Sequence, residues 1–376
     1  MNKQKPRTLR EKLASDQVTT VLASLICIAI GLIIGFFCLL AIDPAHAWSK
    51  GFLLILKGGL CDIPYGIGKV LSNAAPLILC GLSVGFAFQT GLFNIGAAGQ
   101  YTVGAFGALY FAIVLHSPWY ICLLAAMVFG AVWGAIPGLF KAYLNINEVI
   151  TSIMFNWIGL YGVNELIYGG GTGLMYDSKS TKTFTLATGF PDALIPNWGL
   201  SDLFQQKSAT IAIFIAVILA IVVQVVLNKT TFGYELKACG HNRSAARYAG
   251  IDEKRNIILA MVISGALAGI GAGLFYLSGA AEWNPQVSTA LPMMGFNGIS
   301  VALLASSNPI GTVFSALFIS HITVGGTYLP TKYFPREISD LISGIIIYLC
   351  AFSLLFRVKI KGWLAAKKGE KEEKPV

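Results

Sequence analysis

Long apolar runs without charged residues recur along this chain and limit what it can fold into. The first run, 18–42, spans 25 residues and contains no Asp, Glu, Lys or Arg. About 20 helical residues, at about 1.5 Å each, cross the hydrocarbon core of a bilayer. Further apolar runs lie near 70–89, 94–115, 119–140, 149–167, 208–227, 257–278, 289–305, 310–329 and 338–356. The pattern predicts an all-α integral membrane protein with about ten transmembrane helices.

The composition agrees with a lipid-covered surface. Only 12% of the residues are charged and 41 are glycines. Soluble domains carry about 25% charged residues, and small residues let membrane helices approach closely. The first apolar run is too long for a signal peptide, and no small-residue cleavage site follows it. Most of the seven cysteines lie in apolar runs and none forms a CxxC pair, so we expect them to pack rather than cross-link.

The net charge of +9 is concentrated in three segments: +3 in 1–17, +3 in 229–255 and +4 from Arg357 onward. Positive residues favour the cytoplasmic side of a membrane. The charge therefore predicts both termini inside, with six spans before the basic loop and four after it, and argues against nucleic-acid binding. The predicted parts are a cytoplasmic N-terminal segment 1–17, a transmembrane domain 18–356 with an extracytoplasmic loop 168–207 and a cytoplasmic loop 229–256, and a basic cytoplasmic tail 357–376.

Two predicted spans share a glycine pattern. The second contains Gly81 and Gly85 at GxxxG spacing, and the seventh contains Gly265, Gly269 and Gly273. In the predicted topology these helices run in opposite directions, as in the inverted repeats of transporters. Helix packing alone would also explain the glycines.

The basic loop contains a short helix by its end signals. Asn242 is placed to be the N-cap and Gly250 the C′ residue. Between them lie three alanines, at 245, 246 and 249, with Arg243 and Arg247 about one turn apart. A basic helix with a surface of small side chains, on the cytoplasmic side of the membrane, predicts contact with a soluble partner.

Polar residues inside apolar runs are costly and often functional. Asn94 and Gln100 flank the glycine-rich stretch FNIGAAGQ, which predicts a broken helix near a substrate path. Asn147 is predicted to cap the fifth helix, with Glu148 in its first turn; gating, or a salt bridge to the other half, is the alternative role for Glu148. The candidate path residues are Asn94, Gln100, Glu148, Asn156, Met294, Phe296 and Asn297, the last three beside a second broken backbone.

Catalytic motifs are missing from the sequence. The four histidines are scattered without ligand spacing, and neither a Walker A motif nor a legible nucleophile–base pairing is present. We therefore predict no catalytic residue, no metal site and no cofactor, and a chain that is not itself an enzyme.

Residues 231–251, TFGYELKACGHNRSAARYAGI, resemble the cytoplasmic coupling loop of bacterial ABC-importer permeases for branched-chain amino acids, simple sugars and nucleosides. FNIGAAGQ is similar to the motif that follows the second helix in this group. NEVITSIMFNWI, at 147–158, resembles most closely the nucleoside branch, which works with a basic-membrane-lipoprotein type of binding protein. The resemblance covers approximately 70–360. Cys239 stands where many relatives carry a small aliphatic residue, and the 168–207 loop is long for the group.

The resemblance implies a permease subunit in the bacterial cytoplasmic membrane, with the inverted-repeat permease fold. The implied partners are ABC ATP-binding subunits, a second permease that favours a heterodimer, and an extracytoplasmic substrate-binding lipoprotein. The residues implied to couple to the ATPase are Gly233, Glu235, Asn242, Arg243, Ala245, Ala246, Arg247 and Gly250. The implied cargo is a nucleoside, with purine nucleosides such as guanosine favoured. A simple-sugar permease, a secondary carrier and a membrane enzyme are the alternatives.

Overall fold

The computed structural model describes residues 16–168, 174–177, 179–284, 290–335, 337–352, 355–356 and 358–359. The predicted segments 1–17 and 357–376 lie almost entirely outside the described residues. The fifteen α-helices of the described chain are α1 Asp16–Ile42, α2 Leu53–Lys57, α3 Tyr65–Gln89, α4 Ala97–Ile113, α5 Trp119–Leu144, α6 Glu148–Tyr168, α7 Leu186–Gly189, α8 Leu200–Phe204, α9 Ala212–Lys229, α10 Thr231–His241, α11 Arg243–Tyr248, α12 Glu253–Tyr276, α13 Met293–Leu304, α14 Pro309–Gly326 and α15 Ile338–Ala351.

Shorter elements fill two connections. A π-helical turn, Ala47–Phe52, and a 3₁₀ turn, Gly58–Cys61, flank α2. The 168–207 segment is not a plain loop: its antiparallel strands β1 Tyr176–Asp177 and β2 Lys182–Thr183 pair with each other. It also contains α7, a 3₁₀ turn at Pro191–Ala193, and α8.

Every predicted apolar run contains a helix, and the class is all-α. Six of the described helices are long and apolar enough to cross a membrane: α1 within Leu25–Ile42, α3, α5, α9, α12 and α14. The shorter helix α13 is also apolar. The prediction of an all-helical chain with several membrane-spanning helices is therefore confirmed.

The chain divides into two compact units, 1–56 with 325–376, and 57–324. In the first, α1 packs lengthwise on α15. Gly31 and Gly35 of α1 meet Ile346 and Ile342 so closely that an added Cβ would overlap those side chains. Small residues here let the two helices approach, as is usual between helices in a membrane.

The second unit is built around α12, which packs against α3, α4 and α5. Gly265 and Gly269 of α12 lie against the backbone of α5, where a Cβ would collide with the carbonyl oxygens of Gly130 and Ala126. This close crossing explains the glycine spacing in the seventh predicted span by packing. It also carries α12 through the centre of the unit.

Helix α3 of this unit is buried without interruption over residues 74–87. It contacts α13, where Gly298 lies against the backbone of Cys80, and Gly81 meets Val301 and Thr312. The start of α4 also lies next to α13, where Gly295 packs on Ala98, and the end of α3 packs on Gly240 near the end of α10.

Candidate functional site

A cluster of buried amides lies at the break between α3 and α4. Asn94 Nδ2 donates to Gln100 Oε1 at 2.8 Å, and Gln100 Nε2 donates back to Asn94 Oδ1 at 3.0 Å. Asn94 Nδ2 also donates to Ser83 Oγ at 3.1 Å. Asn94 and Gln100 are 0% and 1% exposed. The two amides, which flank the glycine-rich stretch in sequence, thus close on each other across the break.

Helix α6 reaches the same break through Asn156. Its Oδ1 accepts the backbone N–H of Gly99 at 2.8 Å, and its Nδ2 donates to the Ile95 carbonyl at 3.0 Å. One side chain therefore satisfies a free N–H in the first turn of α4 and a carbonyl of the preceding turn. A Cβ at Gly99 would overlap Asn156, so glycine is required for this approach. Asn94, Gln100 and Asn156, three of the predicted path residues, belong to one polar cluster.

Three serines complete this cluster, and sequence reasoning missed them. The Ser83 hydroxyl accepts the bond from Asn94 described above. The hydroxyl of Ser264, in α12, donates to the Ser83 carbonyl at 2.8 Å. Ser152 of α6 packs against Gly96, and its buried hydroxyl has no hydrogen-bond partner among the described residues. A lone serine in an apolar run gives little signal, because serine hydroxyls commonly bond to their own helix.

The start of α13 lies beside the start of α4. Gly295 packs so closely on Ala98 that an added Cβ would overlap its backbone. Met294, Phe296 and Asn297 are half-buried around this crossing. The second predicted helix break, at 292–297, therefore lies against the first, at 93–100. The predicted path residues of the two breaks come together in one region.

Glu148 lies apart from this region, at the turn between α5 and α6. Its carboxylate forms an ion pair with Lys141 of α5 at 2.9 Å. Asn147 Oδ1 accepts the N–H of Val149 at 2.8 Å, which confirms the predicted cap of the fifth span, helix α6. Asn145 ends α5 with φ 53°, the left-handed conformation that often closes a helix. The partner of Glu148 is thus on the neighbouring helix of the same half.

The basic loop folds as α10 and α11. Thr230 caps α10 through its hydroxyl, which accepts the Gly233 N–H at 3.1 Å, and Gly233 packs against the carbonyls that end α9. Asn242 Oδ1 accepts the Ala245 N–H at 3.0 Å, and Gly250 follows the helix with φ 83°. Both predicted ends of the short helix are confirmed.

The predicted coupling residues divide between two faces of this loop. Ala245 and Arg247 are exposed, whereas Ala246 is 4% exposed and faces the rest of the chain. Arg247 pairs with Glu253, and Glu235 Oε2 accepts from Asn256 Nδ2 at 3.2 Å. Tyr248 is 94% exposed beside them and was not among the coupling residues predicted from the sequence. Buried Ala246 packs α11 against the rest of the chain. The exposed residues Ala245, Arg247 and Tyr248 form the outer face of this helix.

Burial also sets the chemistry of Cys239 in α10. Desolvation raises the pKa of its thiol above the usual value, although the Asn256 side chain acts in the opposite direction. Cys239 therefore stays a neutral packing residue at neutral pH.

The family model described as "Branched-chain amino acid transport system / permease component" matches residues 66–351, which include both helix breaks and the α10–α11 loop. The chain belongs to this permease family. With its apolar helices, membership makes it a multi-pass protein of the cytoplasmic membrane.

Three similar permeases match most of the chain. The nucleoside ABC transporter permease NupB of Lactococcus lactis is 34% identical over 96% of this chain and 98% of its own length. The guanosine ABC transporter permease NupP of Bacillus subtilis is 33% identical over 91% of this chain and 96% of its own. The glucose ABC transporter permease TsgB13 of Haloferax volcanii is 30% identical over 90% of this chain and 87% of its own.

Two of these organisms also contribute a second, more distant relative. NupC of Lactococcus lactis is 25% identical over 72% of this chain and 86% of its own length. NupQ of Bacillus subtilis is 26% identical over 70% of this chain and 83% of its own. Their names describe a nucleoside and a guanosine ABC transporter permease, respectively. Each organism thus has two permeases that are similar to this chain and share one described cargo.

Proposed function

We propose that this chain is a permease subunit of an ATP-driven importer of nucleosides, with purine nucleosides such as guanosine favoured. The observation that carries the proposal is its identity of 34% and 33% with the nucleoside permease NupB and the guanosine permease NupP, over more than nine tenths of the chain. A simple sugar is the second candidate cargo, because the glucose permease TsgB13 is 30% identical over 90% of the chain.

The proposed fold has about ten transmembrane helices in two inverted halves, with both termini in the cytoplasm. The packing of the second unit supports this arrangement. The second helix of one half, α3, packs on α13, and the second helix of the other half, α12, packs on α4. Each half thus places its second helix against the third helix of the other, an exchange expected of a two-fold relation.

The proposed substrate path runs through the region where α4 and α13 begin. Met294, Phe296 and Asn297 offer soft apolar surface and one amide, which suit the flat base of a nucleoside. The bonds between Asn94 and Gln100, and those of Asn156 to the backbone of Gly99 and Ile95, close the α3–α4 break in this conformation. The Ser152 hydroxyl, which has no partner within the described part of the chain, can bond to a cargo when the break opens.

The proposed partners follow from the family and from the surface of the chain. ATP-binding subunits contact the cytoplasmic loop through the exposed face of α11, where Ala245, Arg247 and Tyr248 lie. A second permease pairs with this chain as a heterodimer, which the NupB–NupC and NupP–NupQ pairs support. A lipoprotein delivers the cargo from outside. ATP is hydrolysed by the partner subunits.

The cargo is tested by uptake in a strain that lacks the gene for this chain. We expect uptake of labelled guanosine to fall to background and to return with the gene on a plasmid, while glucose uptake stays unchanged. Loss of glucose uptake with normal guanosine uptake would assign the chain to a sugar importer. Guanosine uptake that persists and collapses with an ionophore would indicate a secondary carrier elsewhere in the cell.

A further inference from the structure

The end of α3 is held from two sides at Gln89. Its side-chain Nε2 donates to the Ser307 carbonyl, in the turn between α13 and α14, at 3.1 Å. On the other side, Gly240 of α10 lies so close that an added Cβ would overlap the Gln89 carbonyl oxygen. Gly91, with φ 69°, lies against the same glycine of α10. One residue therefore joins three elements: α3, α10 and the α13–α14 turn.

These contacts lie at the cytoplasmic end of the α3–α4 break. Gly240 belongs to the basic segment 229–255, whose charge favours the cytoplasmic side of the membrane. Helix α13 begins in the region of the proposed path, and its 12 residues span about 18 Å before the turn that contains Ser307. The bond between Gln89 and Ser307 therefore lies between the proposed path and the cytoplasm.

An aromatic pair fills the interval between this bond and the path. The rings of Phe88 and Phe93 stack with their centroids 5.3 Å apart, across the first residues of the break. Together with Ile299 of α13, these rings pack on three buried side chains, those of Val84, Ala97 and Ala302. The cluster thus joins α3 and α4 to α13. Apolar constrictions of this kind can close a path to water and to polar cargo.

We propose that Phe88, Phe93 and Ile299 form a cytoplasmic gate, and that the bond between Gln89 and Ser307 keeps it closed. While this bond holds, α3 stays against the α13–α14 turn and the aromatic pair stays packed on α13. Movement of α10 displaces Gln89 through their backbone contact and breaks the bond. Gln89 is a positioning residue, since it acts through the gate and does not touch the cargo. The proposal rests on the proposed function, in which ATP-binding subunits move the α10–α11 loop.

The first test cross-links α3 to the α13–α14 turn. A Cβ at Gly85, one turn before Gln89, would lie 3.8 Å from the Cβ of Ser307, a separation that is usual in disulfides. The complete reconstituted complex with Gly85→Cys and Ser307→Cys is oxidised, and mass spectrometry verifies the cross-link. We expect ATP-dependent guanosine uptake to fall to background on oxidation and to recover with a reductant. Each single variant under the same oxidant is the matched control and should keep its uptake.

The second test follows the gate without any cargo. Ile299→Cys places a thiol in the gate, and a membrane-impermeant maleimide is added on the side of the α10–α11 loop. We expect Gln89→Leu, which removes the amide donor, to raise the labelling rate roughly fivefold, since one net hydrogen bond shifts a closed–open equilibrium by about this factor. Gln206→Leu is the matched control: the Gln206 amide also donates to a serine, Ser208, but lies at the opposite end of α3.

The third test changes only the contact with α10. Gly240→Ala inserts a Cβ against the Gln89 carbonyl, which cannot move aside as a side chain can. We expect the guanosine taken up per ATP hydrolysed to fall roughly fivefold or more, while ATP hydrolysis continues. Gly162→Ala is the control, because an added Cβ there meets no atom within 4 Å.

Four results would overturn the proposal. The first is full uptake by the cross-linked complex, and the second is a cross-link between positions 85 and 307 that does not form. The third is labelling of the Ile299→Cys complex that is no faster in Gln89→Leu, whether or not the melting temperature falls, which would reduce Gln89 to a structural support. The fourth is a normal uptake ratio in Gly240→Ala. Absence of guanosine uptake in the parent complex, with faster labelling in Gln89→Leu, would reject only the cargo.

Discussion

Single side chains hold the α3–α4 break together, and Asn156 bonds to two backbone groups there. It accepts the N–H of buried Gly99 and donates to the carbonyl of half-buried Ile95. We predict that Asn156→Ala destabilises the protein by about 2–4 kcal/mol, because the Gly99 N–H and the Ile95 carbonyl both stay unpaired. The melting temperature of the purified complex measures this as a clear decrease.

The matched control for that experiment is Asn197→Ala. Asn197 is exposed, and its side-chain amide donates to the hydroxyl of nearby Ser201. Its replacement should leave the melting temperature within about 1 °C, as expected for a surface change. Equal decreases for the two variants would contradict the structural role of the buried amide.

A second prediction at the residue scale concerns Cys239. Because burial raises the pKa of this thiol, the reactive thiolate is scarce at neutral pH. We expect maleimide to leave Cys239 unmodified in the folded complex and to label it after denaturation, as read by mass spectrometry. Asn197→Cys, at an exposed residue outside the α10–α11 loop, is the control that should label rapidly. Rapid labelling of native Cys239 would place it on the surface instead.

Residue-scale features that depend on sequence neighbours were predictable. The caps at Asn147 and Asn242 are set by side chains that bond within three residues of themselves, and Gly250 ends its helix because glycine readily adopts a positive φ. The Asn156 bonds to the α3–α4 break and the Lys141–Glu148 pair were not predictable. They depend on how distant helices cross, and a single sequence does not show that crossing.

At the scale of elements, the α5–α12 crossing has the least tolerance for added atoms. A Cβ at Gly265 would collide with the Gly130 carbonyl on the facing backbone. We predict that Gly265→Ala destabilises the protein by about 1–3 kcal/mol or more, because backbone cannot move aside as a side chain can. The melting temperature and the yield of assembled complex both report the loss.

Gly162→Ala provides the comparison. Gly162 lies within α6, and an added Cβ there meets no atom within 4 Å. Alanine favours the helix over glycine by up to about 1 kcal/mol, so this variant should be neutral or more stable. A stable Gly265→Ala protein beside a destabilised Gly162→Ala protein would show that the crossing is not as close as the structure has it.

The elements themselves were largely predictable, and their contacts were not. Each apolar run contains a helix, because membrane spans need long uncharged segments. The glycines of the seventh span were consistent with either a repeat signal or a packing surface. The structure shows that Gly265 and Gly269 pack on α5, a partner that glycine spacing cannot name.

At the scale of the whole molecule, the second unit places the α10–α11 loop directly against the α3–α4 break. Gly240, near the end of α10, packs so closely on this break that an added Cβ would overlap the carbonyl oxygen of Gln89. The sequence contains the loop and the break as separate motifs. Their contact follows only from the fold.

The most direct test of the account uses the purified complex of this chain with its second permease, its ATP-binding subunits and its lipoprotein in proteoliposomes. We predict uptake of labelled guanosine that requires ATP on the side of the α10–α11 loop, that stops with vanadate, and that continues in the presence of an ionophore. A complex that hydrolyses ATP but accumulates no nucleoside would contradict the proposed cargo, and uptake driven by an ion gradient without ATP would contradict the central claim.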